Sequence, residues 1–193
     1  MHKVIPYYRP ETRSYRVQDE ENLVRRAKER DREAFAQLYE EYFDKIFRYV
    51  ALKIGDRMEA EDITQQVFLN AIRAISSFKL KGIPFSAWLF RIAHNQVVDY
   101  LRKKTRRSVS SIDKVSLSAD DDPTQTLERK LDVERLNSAS RKLTLAQQEV
   151  ISLRFAGEMS IAEVAKVMGK SEGAIKALQH SAIVALRKVM VET

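Results

Sequence analysis

The sequence predicts an all-α protein of two small helical domains joined by a flexible linker, the second domain a helix-turn-helix. Three observations lead there. Apolar residues recur at spacings of three and four along most of the chain. Cap signatures, in which Ser, Thr or Asp is followed three residues later by Glu or Gln, open one helical stretch after another. Midway the periodicity stops in SVSSIDKVSLSADDDPTQT, a run rich in Ser and Asp that separates two periodic halves.

Composition narrows the class. The chain has 193 residues, 44% hydrophobic and 32% charged, enough apolar side chain to form cores. Its net charge of +7 favours a polyanionic partner such as nucleic acid, although an anionic membrane surface attracts the same charge. No apolar run reaches the roughly 18 residues of a membrane span, and no signal-peptide core follows Met1, so no direct membrane insertion is expected. Cysteine is absent, which excludes disulfides and thiolate zinc sites and fits a cytoplasmic setting. His2, His94 and His180 are too scattered for a metal cluster. With no Gly-rich phosphate loop and no nucleophile elbow, neither an enzyme nor a cofactor is expected.

Residues 1–18 read as an extended arm with no motif. A short helix is expected from near Asp19. Asp31 caps a long helix through Ile54, with Phe35, Leu38, Tyr42, Ile46, Tyr49 and Val50 as its buried stripe, and Gly55 ends it. Asp56 with Glu59 predicts a reciprocal capping box for the next helix. There Ala60, Ile63, Thr64, Val67, Ala71, Ala74 and Ile75 face one way, and Asp62, Gln65, Gln66, Leu69 and Arg73 the other. That second face reads either as ordinary solvated surface or, being poor in Lys and Glu, as a surface that docks on another protein.

Ser76 to Pro84 is a loop in which Phe78 stands beside Lys79 and Lys81. An aromatic among lysines suits unstacked bases and phosphates, while the plainer reading puts Phe78 in the core. From Pro84 a helix runs to Arg107. Phe85, Trp88, Leu89, Ile92 and Ala93 form its apolar stripe, and Arg91, Asn95, Asp99, Arg102 and Arg106 line another side. Its end, Arg102 to Arg107, has only Thr105 uncharged, more cations than a helix dipole needs and a pattern suited to tracking phosphates. The linker covers 108–126 and reads as a solubilising spacer or as a segment lying in a basic channel of a partner.

The second domain spans 127–193. One helix is expected over Leu127 to Lys142. Thr144 with Gln147 opens another that stops at Gly157, and Ser160 with Glu163 opens a third. From Ile161, small Ala165, a turn at Gly169 and apolar Ile175 fall at the positions a helix-turn-helix requires. Ser171 caps a recognition helix to about Val189, presenting Ser171, Glu172, Gly173, Lys176, Gln179 and His180 to a DNA groove. The His180 imidazole suits a phosphate contact or plain solvent equally.

AEDITQQVFLNAI together with Phe85, Trp88-Leu89, Ile92-Ala93-His94-Asn95, Asp99 and Arg102-Lys103 resembles the second conserved domain of bacterial sigma factors. LTLAQQEVISLRFAGEMSIAEVAKVMGKSEGAIKALQ resembles their fourth. With nothing between them like the middle domain, the chain is similar to the extracytoplasmic-function class. That resemblance implies a sigma factor that binds core RNA polymerase and starts transcription of a specialised regulon. Asp62, Gln65, Gln66, Leu69 and Arg73 would dock on the polymerase clamp's coiled coil. Phe78, Lys79, Lys81, Asn95, Asp99, Arg102, Lys103 and Arg106 would engage the −10 element, and the helix-turn-helix the −35 element. It further implies an anti-sigma factor as partner. The family's recognition helix usually carries several arginines, whereas Gly173 to Ser181 keeps only Lys176. A free-standing helix-turn-helix regulator is the alternative, with the Asp62–Gln65–Leu69 face as its dimer interface.

Overall fold

A computed structural model describes residues 17–79, 82–110 and 143–191. The residues before Val17, Lys81, most of the linker and the helix expected over 127–142 lie outside these. Four helices make the first domain: α1 (Val17–Lys28), α2 (Arg32–Ile54), α3 (Arg57–Ala74), continued by a 3-10 turn over Ile75–Ser77, and α4 (Phe85–Ser110). The second contains α5 (Leu145–Ile151), a π-helical turn over Ser152–Ala156, α6 (Ile161–Met168) and α7 (Glu172–Val191). No strand occurs among the described residues.

The caps explain the boundaries. Asp31 accepts hydrogen bonds from the backbone N–H groups of Glu33 and Ala34 at 3.0 and 3.1 Å, satisfying donors that α2 leaves open. Gly55 closes the same helix in the left-handed region, φ 76°, and returns its N–H to the Ala51 carbonyl. Thr144 with Gln147 and Ser160 with Glu163 each form both bonds of a capping box. At Asp56 only half of the expected box is present among the described bonds: its carboxylate accepts from Glu59 N–H at 3.0 Å, and exposed Glu59 does not reach back.

Two boundaries differ from expectation. Helix α4 runs three residues past Arg107, because neither Gly nor Pro follows to stop it. Gly157 does not end its helix by a left-handed turn. Its φ is −82°, and the positive φ, 55°, falls on Glu158. Gly157 is instead crowded: a Cβ there would lie 2.7 Å from Phe90 Cε1 and 2.8 Å from the Leu153 carbonyl oxygen.

That contact reveals the packing of the two domains. Phe85, Leu89 and Ala93 of α4 are buried as the sequence stripe predicts, but so are Ser86, Ala87 and Phe90. The second domain covers this additional side. Ser86 Oγ donates to Glu163, and Arg91 Nη2 to the Lys166 carbonyl at 2.6 Å. One continuous cluster of buried side chains therefore runs through both domains, from Leu23 and Val24 to Ile175 and Ala182.

Candidate nucleic-acid interface

Helix α3 divides along its length as its spacing requires. Ala60, Ile63, Thr64, Val67, Phe68 and Ala71 are buried, while Asp62, Gln65, Leu69 and Arg73 are exposed. Gln66 is half-buried and donates its amide N–H to Asn70 Oδ1 at 2.9 Å. Ile72, 50% exposed beside Leu69 at 49%, belongs to the same outward surface. Two large aliphatics, the Gln65 amide, the Asp62 carboxylate and the Arg73 guanidinium form a surface of mixed polarity that suits a protein partner.

The cationic end of α4 is exposed at Asn95, Arg102, Lys103 and Arg106, with Asp99 half-buried among them. Arg102 Nη2 donates to Asp99 Oδ1 at 2.9 Å. Both partners are half or more exposed, so the pair is worth no more than about 1 kcal/mol. Lys104 lies over the Tyr100 ring at 5.6 Å, which fixes a further cation on this segment.

Phe78 is a correction. It is 4% exposed and packs its ring 4.9 Å from Trp88 and 6.0 Å from Phe85, while its carbonyl accepts from Lys28 Nζ at 2.7 Å. No ring face is left for a base to stack on, so Phe78 anchors the loop and leaves Lys79 exposed beside it. Lys81 lies outside the described residues.

In the second domain, α6 and α7 cross as a helix-turn-helix. Gly169 takes φ 63° at the turn, Ala165 is 8% exposed where the helices meet, and Ile175 is fully buried. Ser171 Oγ accepts from Ala174 N–H at 3.3 Å, capping α7. Ser171, Glu172, Gly173, Lys176 and His180 are exposed. Gln179 differs: it is half-buried, and its side-chain Oε1 accepts from Arg154 Nε at 3.0 Å, so a two-pointed contact with a base edge would require Arg154 to let go.

Two family patterns match the chain. Sigma-70 region 2 matches residues 38–107, and Sigma-70 region 4 matches residues 141–188. The chain belongs to the sigma-70 family of RNA polymerase sigma factors, in its extracytoplasmic-function class. It is 38% identical over 174 residues to the extracytoplasmic-function sigma factor BldN of Streptomyces coelicolor, covering 87% of this chain and 64% of BldN. The chain thus spans somewhat less than two thirds of that relative. SigW of Bacillus subtilis is 29% identical, over 86% of this chain and 93% of SigW. In fold it is similar to CnrH, solved with the cytosolic domain of CnrY (TM-score 0.68, 24% identity, 90% of this chain and 97% of that one). It is also similar to RpoE of Bartonella quintana, solved with the anti-sigma factor NepR (TM-score 0.66, 24% identity, 81% and 96%).

The sigma factor also contains a site that its sequence patterns do not announce. Glu149 of α5, buried between the domains, accepts from Tyr49 Oη at 2.7 Å and pairs with Lys53 Nζ at 2.7 Å and His94 Nδ1 at 3.0 Å. Burial opposes ionisation of this carboxyl, but the bonds from His94, Lys53 and Tyr49 with the Lys53 charge outweigh it and hold its pKa down at about 2. The available signal was a carboxylate flanked by the apolar positions Val150 and Leu153. Its partners lie about a hundred, and about fifty, residues away and carry no shared motif.

No described helix is long and apolar enough to cross a membrane.

Proposed function

We propose that this sigma factor binds core RNA polymerase, directs it to promoters with −10 and −35 elements, and so starts transcription of a specialised regulon. One observation carries the reading. Two helical domains in the family's order expose the surfaces the task needs: an amide-and-aliphatic face on α3 beside a cationic helix end, and the N-terminus of a recognition helix. The working division is an arm over 1–18, a polymerase-docking and −10 domain over 19–107, a linker over 108–126 and a −35 domain over 127–193.

Asp62, Gln65, Gln66, Leu69 and Arg73, with Ile72 added, dock on the clamp's coiled coil. Lys79, Lys81, Asn95, Asp99, Arg102, Lys103 and Arg106 hold the opening −10 segment, where extruding one base costs about a few kcal/mol that pocket and phosphate contacts offset. Ser171, Glu172, Gly173, Lys176, Gln179 and His180 meet the −35 duplex. Two weak readers on one chain gain affinity through effective concentration. The protein performs no chemistry of its own, acts in the cytoplasm, and has an anti-sigma factor among its partners, as RpoE has NepR.

Run-off transcription with purified core polymerase and genomic fragments tests this. Discrete transcripts that need the added protein are expected, and their absence across the organism's promoters would overturn it. A free-standing regulator would instead bind a palindromic site tightly without polymerase. The region 2 match disfavours that alternative.

A further inference from the structure

The contact between the domains centres on one carboxylate, and its chemistry is divided between them. Among the described residues, every donor to the Glu149 side chain belongs to the first domain: Tyr49 and Lys53 from α2, His94 from α4. The acceptor belongs to the second. The cluster therefore exists only while the domains touch. Side-chain exposure is 9% for Glu149 and 14% for Lys53, with His94 at 38% on the rim, so salt screens the Glu149–Lys53 pair weakly. Arg48 adds a rim on the same seam, pairing with Glu158 at 2.5 Å and donating to the Ala156 carbonyl at 3.3 Å.

This contact and promoter reading compete for space. Arg91, one turn before Asn95 on α4, gives its guanidinium to the Lys166 carbonyl, so the second domain sits against one end of the proposed −10 face. Span is the stronger constraint. Elements named −10 and −35 lie about 25 base pairs apart, roughly 85 Å along B-form DNA. A compact chain of this length has a radius of gyration near 16 Å and a breadth of about 40 Å. One closed body cannot lie on both. The covalent connection does not forbid opening: 32 residues separate Ser110 from Leu143, with a maximum reach of about 110 Å.

We propose that the free protein rests in a closed state in which Glu149 latches the second domain into the Tyr49–Lys53–His94 notch, and that this latch must release before both promoter elements are engaged. The second clause rests on the promoter reading above; the first stands on the seam alone. The latch makes the unbound protein a poor DNA reader without any inhibitor, because the competent open form is a minor population whose fraction scales the apparent affinity.

Because the chain has no cysteine, two can be introduced at the exposed positions Met58 and Leu145 and spin-labelled in the full-length protein. Pulsed electron resonance should give one narrow distance within the breadth of a compact body. Glu149→Gln, and separately Lys53→Met with His94→Gln on the opposite domain, should shift most pairs to a long, broad distribution while helical circular dichroism is retained. A long, broad distribution in the parent would overturn the closed state. An unchanged narrow distance in both variants would overturn the latch, and loss of helical signal in both would make the cluster a folding element instead. The same variants should bind core polymerase several-fold faster in stopped flow. Opening in the resonance experiment without transcription activity would count against the promoter reading and leave the latch standing.

Discussion

The ring of Phe90 occupies the space that a side chain on Gly157 would need, Cε1 lying 2.7 Å from the nearest Cβ position. Neither residue belongs to the other's domain, yet each determines what the other can be. Phe90 is fully buried and meets the Tyr49 ring edge-on at 5.6 Å, so one aromatic pair serves both the first domain's core and the seam.

Gly157→Ala should therefore cost about 1–3 kcal/mol, the usual toll of overpacking. Urea unfolding of the full chain measures it. Because the Leu153 carbonyl oxygen is also within 2.8 Å of that Cβ, Phe90→Leu should restore only part of the loss.

Glu149 predicts a pH signature. Its carboxyl is depressed to about 2 in the folded protein against an ordinary 4.5, so its stabilisation is complete above about pH 5 and is lost as pH falls toward 2. By linkage that amounts to about 3 kcal/mol at neutral pH. The stability difference between the parent and Glu149→Gln should be present at neutral pH and shrink steadily below 4.5. A difference that persists unchanged at pH 3 would show that the charge on Glu149 is not what stabilises.

Glu20 should behave in the opposite sense. Burial raises its carboxyl pKa, with Glu163 and Glu41 nearby adding to the rise, although Tyr42 donates a hydrogen bond to it. A raised carboxyl favours the fold at low pH, and its ionised form costs stability at pH 7. Glu20→Gln keeps an acceptor for Tyr42 and removes the charge. Its melting temperature at pH 7 should rise by about 1–4 °C, and the gain should fade as pH drops toward 4.5.

Arg102 and Arg106 changed together to Ala should reduce open-complex formation about tenfold or more, the loss that the proposed −10 contacts require, and should flatten its salt dependence. Polymerase binding should stay near the parent's. Permanganate footprinting on a supercoiled promoter and a pull-down with core polymerase separate the two effects.

Asp62→Ala with Gln65→Ala should weaken association with core polymerase about tenfold while circular dichroism is unchanged, since both side chains are exposed. Ile72→Ser is a sharper probe, because half of that side chain already faces outward. Fluorescence anisotropy of the labelled protein against core polymerase measures both.

Much of this fold was legible because its signals are local. A cap needs only a hydroxyl or carboxylate and the N–H three residues on, so Asp31, Thr144 and Ser160 marked helix starts that the structure contains. The alternation along α3 follows from helical geometry alone and separated Leu69 from Val67 correctly. Phe78 shows where local reading stops. An aromatic among lysines has the composition of a base platform, and only packing against Phe85 and Trp88 turns it into a core residue.

Periodicity and capping by themselves determined that the chain is helical, that it has two domains, and that the second is a helix-turn-helix, since each depends on neighbours within a few positions. The tertiary structure alone decided that Ser86 and Phe90 lie inward, that Gly157 is held by proximity and not by a turn, and that Glu149 is paired across the domains. Those facts depend on side chains fifty to more than a hundred residues apart in the chain meeting in space. No spacing rule encodes such a meeting, because it is the packing of whole helices that brings the partners together.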